Sequence, residues 1–480
     1  MTRTEQDFIG KVQIPKNHLY GIQSLRAKEN FPDTSRFHKD WYCALGKVKS
    51  AVYLTYHDFI DALKKKYQPD EINIKILDND VLESLITAAS EVSNGKHFEN
   101  FIVPAISGGA GTSINMNINE IIANRALQIM GYETGRYDII DPISEANIYQ
   151  STNDVVPTAL KVAAMELLAG LEESINLLRY STERIEKEHR NSLRTGYTQM
   201  QQAVPTSYGK LFSTYCDALS RDWWRVSKCW ERIKMINLGG SAIGTGIAIP
   251  RFMVMLTARR LQQITGLPLN RAENMCDATS NLDAFVEVHA ILKAHAVNLE
   301  KMSSDIRLLA SDINNSPELS IPQKQIGSTI MPGKVNPVIC EYVISAAHKI
   351  YANDQLITSL SAQGCLELNA YLPVIGHALI ESIRLLITAD QTLHSNLIEG
   401  ITIDTKKAYE HLIYSPSVTT VLVPHIGYHQ AAKLAKEMQS TKCHLLEANQ
   451  KLKLIDNNKL ERIIEPSNLL KEGFSIKDFE

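Results

Sequence analysis

The sequence has 480 residues, of which 44% are hydrophobic and 21% are charged. A chain of this length can bury a large core in two or three domains, which excludes a peptide or a disulfide-bonded mini-protein. Fifty Lys and Arg residues against 53 Asp and Glu residues leave a formal net charge of −3. Because no basic tract interrupts this mixture, neither a nucleic acid nor an anionic membrane is expected as a partner, and the expected ligand is a small molecule.

The sequence also carries no signal for export, membrane insertion or metal binding. Its first residues are charged throughout, and no later stretch runs to 18 apolar residues, so we expect a soluble, cytoplasmic protein. The seven cysteines are scattered without a C-x-x-C pair and are expected to be reduced thiols. His425 and His429 lie four residues apart but lack a third ligand. No metal and no cofactor is therefore expected.

The predicted elements change in character along the chain. Residues 1–144 mix Pro, Gly and short apolar runs, which is typical of a domain of short helices and loops. Residues 145–400 predict long helices, at about 153–194, 209–235, 281–311 and 340–361. Residues 401–480 predict a small helical C-terminal domain. Because strands do not alternate with helices, the predicted fold class is all-α, mainly helical, with a central bundle of long helices.

The first of these long helices has the clearest start signals. Asn153 and Asp154 are candidate N-caps, and Pro157 suits a first helical turn. Long helices with apolar residues on more than one face usually bury the surplus against other subunits. The pattern therefore predicts an oligomer.

The most unusual segment is GSTIMPGKVNP, at residues 327–337. It does not fit a nucleotide-binding loop, because five residues separate Gly327 from Gly333 and Val335 stands where Ser or Thr should follow the lysine. Such a loop can still turn several backbone N–H groups toward an anion, with Lys334 as a charge for a carboxylate. The alternative is an ordinary flexible surface loop.

Further polar segments allow a functional or a merely structural interpretation. GTSIN at residues 111–115 and QSTND at 150–154 could bind a ligand or only cap helices, and TQMQ at 198–201 could be a solvated turn. GGSAIGTG at residues 239–246 suggests a dinucleotide site. That interpretation is disfavoured, because no predicted strand precedes the segment and its third glycine is missing.

GSTIMPGKVNP closely resembles the signature loop of the aspartase/fumarase superfamily of lyases, usually written GSSxMPxKxNP. Other segments follow in the family's order, so the resemblance spans nearly the whole chain. They are YGIQSLRAKENF, GAGTSINMNINEIIANRA, QSTNDVVPTA, TQMQQAVPTSYGKLF, LGGSAIGTG, RAENMCDATSNLDAFVEV and, after the loop, PHIGY.

The resemblance implies a mostly helical fold of three domains, with boundaries expected near residues 144/145 and 400/401. It implies a homotetramer whose long central helices form one core, with four active sites that are each assembled from three subunits. The shared reaction is anti-elimination from a succinyl skeleton to leave fumarate. Its intermediate carries two negative charges on one carboxylate, and no cofactor takes part.

The resemblance also implies roles for individual residues. Ser328 matches the base that removes the Cβ proton, which requires loop N–H groups and a nearby cation to stabilise its oxygen. Lys334 and Asn336 match residues that grip a substrate carboxylate. The remaining matches are Thr112, Ser151, Thr152 and Thr329 around the other carboxylate, Asn153 and Thr198 near the leaving group, and Glu341 as a glutamate that supports the residue at Gln199.

Within the superfamily the sequence is more similar to aspartases than to fumarases. Fumarases typically carry His where this chain has Gln199, and AVP at residues 203–205 and QSTND are also aspartase-like. PHIGY points weakly the other way. The expected enzyme is a carbon–nitrogen lyase that removes ammonium from L-aspartate. The alternatives are a lyase acting on another amino-succinate, a fumarate hydratase, and a catalytically silent scaffold subunit.

Four departures from the family pattern bear on these alternatives. DPIS at residues 141–144 replaces HPND, and Gly196-Tyr197-Thr198 replaces GRT, with loss of an arginine. SDIN at residues 311–314 replaces an expected Ser-Gly-Pro-Arg element, and Thr329 replaces the second loop serine. These changes affect the rim of the expected pocket more than the base.

Overall fold

The structure of the protein is a computed structural model. It describes residues 1–68, 71, 74–313 and 316–479, without the side chains of residues 477 and 478. Helices make up 62% of the protein. The mainly helical prediction is therefore confirmed. The α-helices are α1 Ile22–Asn30, α2 Lys39–Lys66, α3 Asn79–Ser93, α4 Thr112–Ile129, α5 Thr152–Glu188, α6 Tyr208–Ser227, α7 Cys229–Ile233, α8 Arg251–Thr265, α9 Asp277–Ser280, α10 Asp283–Leu309, α11 Val338–Ser361, α12 Leu372–Thr392, α13 Thr405–Tyr414, α14 Val423–Ile426, α15 Tyr428–Thr441, α16 Leu445–Leu452, α17 Asn457–Ile463 and α18 Pro466–Leu469.

Short strands pair two by two between these helices. Antiparallel pairs form between β1 and β2, β3 and β4, and β7 and β8, whereas β5 and β6 are parallel. Their bounds are β1 Thr2–Gln6, β2 Lys11–Pro15, β3 Leu193–Thr198, β4 Gln201–Ser207, β5 Met235–Ile236, β6 Asn270–Arg271, β7 Leu319–Ser320 and β8 Thr402–Ile403. The β3–β4 hairpin, which the sequence analysis did not predict, carries TQMQ at its turn.

The long helices fall close to where the sequence predicts them. The helix predicted at 281–311 is α10, and the one predicted at 340–361 is α11. The helix predicted to reach residue 194 ends at Glu188, because the chain turns and enters β3. The helix predicted at 209–235 is divided at Lys228 into α6 and α7. Helix α12 is a further long helix that the sequence analysis did not single out.

The start of α5 differs from the predicted cap. Thr152 is its first residue, and the capping side chain is Ser151, whose Oγ accepts a hydrogen bond from the Asn153 N–H at 3.2 Å. In return the Asp154 carboxylate accepts one from the Ser151 N–H at 3.0 Å. This reciprocal pair satisfies backbone donors that a helix start leaves unpaired.

The described chain divides into two compact units. Unit 1 comprises Met1–Glu172, Arg225–Ala294 and His348–Leu386, and unit 2 comprises Glu173–Trp224, His295–Ala347 and Ile387–Glu480. The unit boundaries fall inside α5, α6, α10, α11 and α12. The division at 144/145 and 400/401 stays a prediction.

Unit 1 has its core around α2 and α4. Trp41 and Tyr53 of α2 are fully buried, and a side chain at Gly376 would collide with the Trp41 ring. Glu120 of α4 is also buried, and its carboxylate accepts hydrogen bonds from the N–H groups of Gly21 and Gln23, at 2.8 Å each. The carboxylate thereby satisfies backbone donors at the start of α1.

Unit 2 contains the small helices after residue 401 and a buried ionic cluster. Helices α13 to α18 pack around one apolar cluster that includes Leu412 and Leu434, and Leu193 of β3 joins it. Elsewhere in the unit His295 lies between two buried acids, 2.9 Å from Asp222 and 3.0 Å from Asp390. These contacts fix where β3 and α10 lie within unit 2.

One stretch of the described chain, Leu372–Gly400, is long and apolar enough to cross a membrane. Of its most apolar window, 61% is buried inside the protein. Core helices of ordinary globular proteins meet the same criterion, so this stretch is weak evidence for a membrane span.

Candidate active site

The loop at residues 327–337 is closed at its base within unit 2. Asn336 donates a hydrogen bond from Nδ2 to the Gly327 carbonyl at 2.5 Å. The Lys334 carbonyl approaches Gly327 so closely that a Cβ there would lie 2.1 Å from it. Only glycine can therefore stand at position 327, and the loop returns on itself directly before α11.

Ser328 lies at the start of this loop with two backbone donors on its oxygen. Its Oγ accepts hydrogen bonds from the N–H groups of Ile330 at 3.2 Å and Met331 at 3.0 Å. Two N–H dipoles directed at one oxygen stabilise negative charge on it. This is the arrangement that a serine base requires.

The other loop residues of the expected site face solvent. Thr329 and Lys334 are exposed, and the ion pairs of the described residues do not include Lys334. Glu341, in the first turn of α11, is exposed as well, and within the described chain no hydrogen bond joins it to Gln199. Lys334 is therefore available for a carboxylate.

Thr198 and Gln199 lie at the tip of the β3–β4 hairpin. The two turn residues, Gln199 and Met200, have φ angles of 52° and 61°. This left-handed conformation is unusual for residues with a side chain, and it is the one that a two-residue hairpin turn needs. The turn holds the Gln199 amide at the surface of unit 2.

In unit 1 the starts of α4 and α5 carry the remaining expected residues. Thr112 is the first residue of α4 and follows a turn in which Ala110 and Gly111 have positive φ. One helical turn later, Asn115 donates a hydrogen bond to Thr152 Oγ1 at 3.4 Å. This contact links α4 to the Thr152 hydroxyl group at the start of α5, next to that of Ser151.

Behind these hydroxyl groups lies a buried lysine that the sequence analysis missed. Lys49 Nζ donates to Oδ1 of Asn115 at 2.8 Å, Asn119 at 2.6 Å and Asn147 at 3.3 Å. Burial lowers its pKa to about 7. The missed signal is the alternation of asparagines in GAGTSINMNINE, because Asn is a poor former of helix interiors.

Asn153 is held by the glycine-rich segment 239–246. Its Nδ2 donates to the Ala242 carbonyl at 2.7 Å, and Ser241 N–H donates to Asp154 at 3.0 Å. Asp154 is fully buried, and burial raises its pKa to about 7. The segment therefore braces the start of α5, which fixes the orientation of the Asn153 amide.

The expected residues thus form two groups. Thr112, Ser151, Thr152 and Asn153 lie in unit 1, whereas unit 2 holds the hairpin tip, the loop and Glu341. Among the described residues, no group of three or more His, Cys, Asp or Glu side chains could hold a metal ion. Hydroxyl groups, amides, backbone N–H groups and Lys334 are the available chemistry, which suits carboxylate binding and proton transfer.

Two family patterns match the chain. The family described as Lyase matches residues 10–352, and the Fumarase C C-terminus matches residues 418–471. An aspartate ammonia-lyase of a Bacillus species is 37% identical over 475 residues, 98% of each chain. The chain belongs to this lyase family.

Two solved structures share the fold of this chain. A fumarate lyase:delta crystallin from Brucella melitensis, in a structure bound to cobalt, has a TM-score of 0.89 and 34% identity over 98% of this chain and 99% of its own. A class II fumarase from Schistosoma mansoni has a TM-score of 0.86 and 28% identity over 97% and 98%. The fold is therefore that of the fumarate lyases.

At two of the positions where this chain departs from the family pattern, the substituted residues make local contacts. Asp141 of DPIS accepts hydrogen bonds from the N–H groups of Ile143 and Ser144, at 2.9 and 2.8 Å, and so makes a turn. Tyr197, where an arginine is expected, packs against the Arg194 guanidinium. Asn314, the last residue of SDIN, lies outside the described residues.

Proposed function

We propose that this lyase is an aspartate ammonia-lyase, which reversibly eliminates ammonium from L-aspartate to give fumarate. The observation that carries the proposal is the whole-chain similarity to aspartate ammonia-lyases, 37% identity over 98% of the chain. Gln199 in place of the histidine typical of fumarases agrees with it.

In the proposed mechanism Ser328 acts as the base. As an alkoxide held by the Ile330 and Met331 N–H groups, it takes the proton from Cβ of aspartate. The electron pair of the C–H bond moves into the adjacent carboxylate, which then carries two negative charges. Lys334 and Asn336 hold that carboxylate, since a cation and an amide donor stabilise the charge as it develops.

Elimination is completed when the electron pair returns to form the Cα–Cβ double bond and the C–N bond breaks. The –NH3+ group leaves as ammonia with its three protons, and ammonia becomes ammonium when it takes up a fourth proton, which balances the one that Ser328 removed from Cβ. Departure itself therefore needs no proton donor, and hydrogen-bond acceptors suffice to orient the group. Asn153, Thr198 and Gln199 can supply these acceptors. Thr112, Ser151, Thr152 and Thr329 hold the other carboxylate, and Glu341 supports Gln199.

Gln199 distinguishes this reaction from hydration of fumarate. A histidine can activate the attacking water by accepting a proton near neutral pH, whereas an amide cannot. We therefore expect deamination with little hydratase activity. We further propose a cytoplasmic homotetramer whose sites combine residues of three subunits, without a cofactor and without a nucleic-acid or membrane partner.

The test uses purified full-length protein with fumarate, in the presence and absence of ammonium, and with aspartate, malate, argininosuccinate and adenylosuccinate separately. Chromatography quantifies the products after equal incubations. We expect aspartate from fumarate plus ammonium and almost no malate without it. Malate at a comparable rate would replace the proposal with fumarase, and turnover of another amino-succinate alone would replace it with that lyase. No turnover of any compound would indicate a silent scaffold subunit.

A further inference from the structure

Arg194 of β3 is a buried cation without the partner that a buried cation requires. Only 5% of the residue is exposed, and its Nε has no hydrogen-bond partner among the residues that the structure describes. Its guanidinium carbon lies 5.1 Å from the Tyr208 ring centre and 5.8 Å from that of Tyr197. The two rings shield the charge but accept no strong hydrogen bond from it.

Arg194 lines a cleft of about 970 Å³ within unit 2. The two acids of this cleft are already engaged. Glu318 accepts hydrogen bonds from Tyr208 Oη at 2.8 Å and His411 Nδ1 at 2.7 Å. Asp305 accepts one from Tyr215 Oη at 2.8 Å and pairs with Lys301. The described residues therefore leave the guanidinium without a carboxylate, although a planar fork of N–H donors is suited to bind one.

The rest of the cleft suits the body of a small organic molecule. Met200, Leu308 and Leu309 contribute apolar surface, and Tyr197 and Tyr208 contribute rings. Polar side chains such as Gln202 and Ser316 line the cleft as well. A pocket of this size that combines apolar walls with polar anchors is typical of small-molecule sites. None of the loop residues 327–337 lines it, so the cleft is distinct from the Ser328 loop.

We propose that this cleft binds a small organic anion, whose carboxylate or phosphate group is held by the Arg194 guanidinium. Such a group supplies the acceptors that Arg194 lacks, and its apolar part packs on the rings and leucines. Gln199, which orients the leaving group in the proposed lyase reaction, also lines the cleft, whereas no residue assigned to proton transfer or to carboxylate binding lines it. Binding of an anion at Arg194 can therefore be measured separately from turnover.

The test is calorimetric titration of the full-length protein with benzoate and, separately, with inorganic phosphate. We expect one site per chain for at least one probe, and stronger binding of benzoate would identify a carboxylate with an apolar body as the preferred ligand. Arg194→Met should weaken binding at least tenfold. Arg184→Met removes the same charge from an exposed position of α5 that does not line the cleft, and it should bind like the wild type.

A second measurement separates ligand binding from a structural role of Arg194. The anion should raise the thermal midpoint of the wild type and not that of Arg194→Met. If Arg194→Met fails to fold, Arg194→Lys replaces it in the test. This variant keeps the charge but not the planar fork, so it should bind the anion more weakly than the wild type. Absence of binding to the wild type, or equal binding by Arg194→Met, would overturn the proposal. So would a smaller assembly of Arg194→Met in light scattering, because an acid of a neighbouring subunit would then be the partner.

Discussion

The surroundings of Ser328 favour the ionised form of its hydroxyl group, which is otherwise a very weak acid. Its oxygen accepts two backbone N–H groups of its own loop, 3.0 and 3.2 Å away. These dipoles are fixed before the reaction, so no reorganisation is needed when charge develops. The same loop also carries Lys334. In the proposed reaction Ser328 transfers the proton and Lys334 binds a carboxylate, so substitutions at the two positions should have different kinetic effects.

For Ser328→Ala we predict a fall in kcat of at least about 1000-fold with little change in KM, because proton transfer is lost while the carboxylate contacts persist. Steady-state kinetics with aspartate measures both constants, and circular dichroism checks the fold. Ser320→Ala, an exposed serine of β7, serves as the control and should behave as the wild type. Near-normal turnover of Ser328→Ala would place the base elsewhere.

Lys334→Met should instead raise KM as well as lower kcat. A substrate carboxylate then loses its charged partner both in the ground state and in the dianionic intermediate. The comparison is Lys324→Met, an exposed lysine shortly before the loop. If KM were the same in both variants, Lys334 would not bind the carboxylate.

Lys49 predicts a pH dependence of stability. Its pKa is lowered to about 7 in the folded protein from 10.5, so between these values the unfolded chain binds more protons. Stability contributed by this group therefore rises with pH across that window, by roughly 1.4 kcal/mol per pH unit at most. The cost of burying the charge is largest below pH 7.

Thermal unfolding of wild type and Lys49→Met between pH 7 and 10 measures this dependence. Loss of the three asparagine contacts lowers the stability of the variant by a similar amount at every pH. The advantage of the wild type over the variant should therefore grow as the pH rises. A difference that is constant with pH would show that Lys49 keeps an ordinary pKa.

At the scale of elements, the β3–β4 hairpin combines a strained turn with a side chain that is expected to bind the substrate. Gln199 and Met200 both have positive φ, a conformation that costs a residue with a Cβ roughly 1 kcal/mol. Asn-Gly or Gly-Gly would relieve this strain in such a turn. We infer that the side chain at position 199 is retained for its amide, despite the strain.

Met200→Gly should therefore stabilise the hairpin by about 0.5 to 1 kcal/mol. Amide hydrogen exchange of β3 and β4 should slow by a factor of about 2 to 5, since local opening becomes rarer. Met200→Ala keeps a Cβ at the same φ and should give no such protection. Equal exchange in the glycine and alanine variants would mean that the turn is not strained.

At the scale of the whole molecule, the long helices carry apolar side chains that a single chain leaves exposed. Single apolar side chains are common on protein surfaces, but here they occur on four long helices. Helices that expose apolar side chains in this way usually pack on other subunits. The exposed side chains outside the cleft are Leu177 and Tyr180 of α5, Trp223 and Trp224 of α6, Val297 of α10, and Tyr342 and Leu356 of α11.

We predict a homotetramer in solution. Light scattering at micromolar concentration should give a mass near four times the chain's 53.7 kDa, and Trp224→Glu should reduce that mass by placing a charge in the interface. Glu172→Gln serves as the control, because it removes a charge from α5 without placing one in the interface, and it should remain a tetramer. A monomeric mass for the wild type would contradict both the assembly and the shared active sites.

Local sequence determined much of this protein. The helical period placed α10 and α11 within about two residues, because it depends only on neighbours along the chain. The 327–337 loop was identified as a candidate carboxylate site from its own letters, since its glycines, lysine and asparagine act within eleven residues of each other. Ser328 could be named only through the resemblance of this loop to the signature loop of the superfamily, and its two N–H donors could only be expected.

The tertiary structure alone decided the contacts between distant segments. Lys49 meets Asn115 across 66 positions, and no local pattern encodes which buried acceptors a lysine on α2 will find. The environment of Arg194 is likewise a property of the folded chain. Glu318 and Asp305 accept hydrogen bonds from other donors, and only the structure shows that neither carboxylate pairs with Arg194. The burial of a side chain and its hydrogen-bond partners depend on how distant segments pack. They decide which of many similar charged residues are buried without an oppositely charged partner.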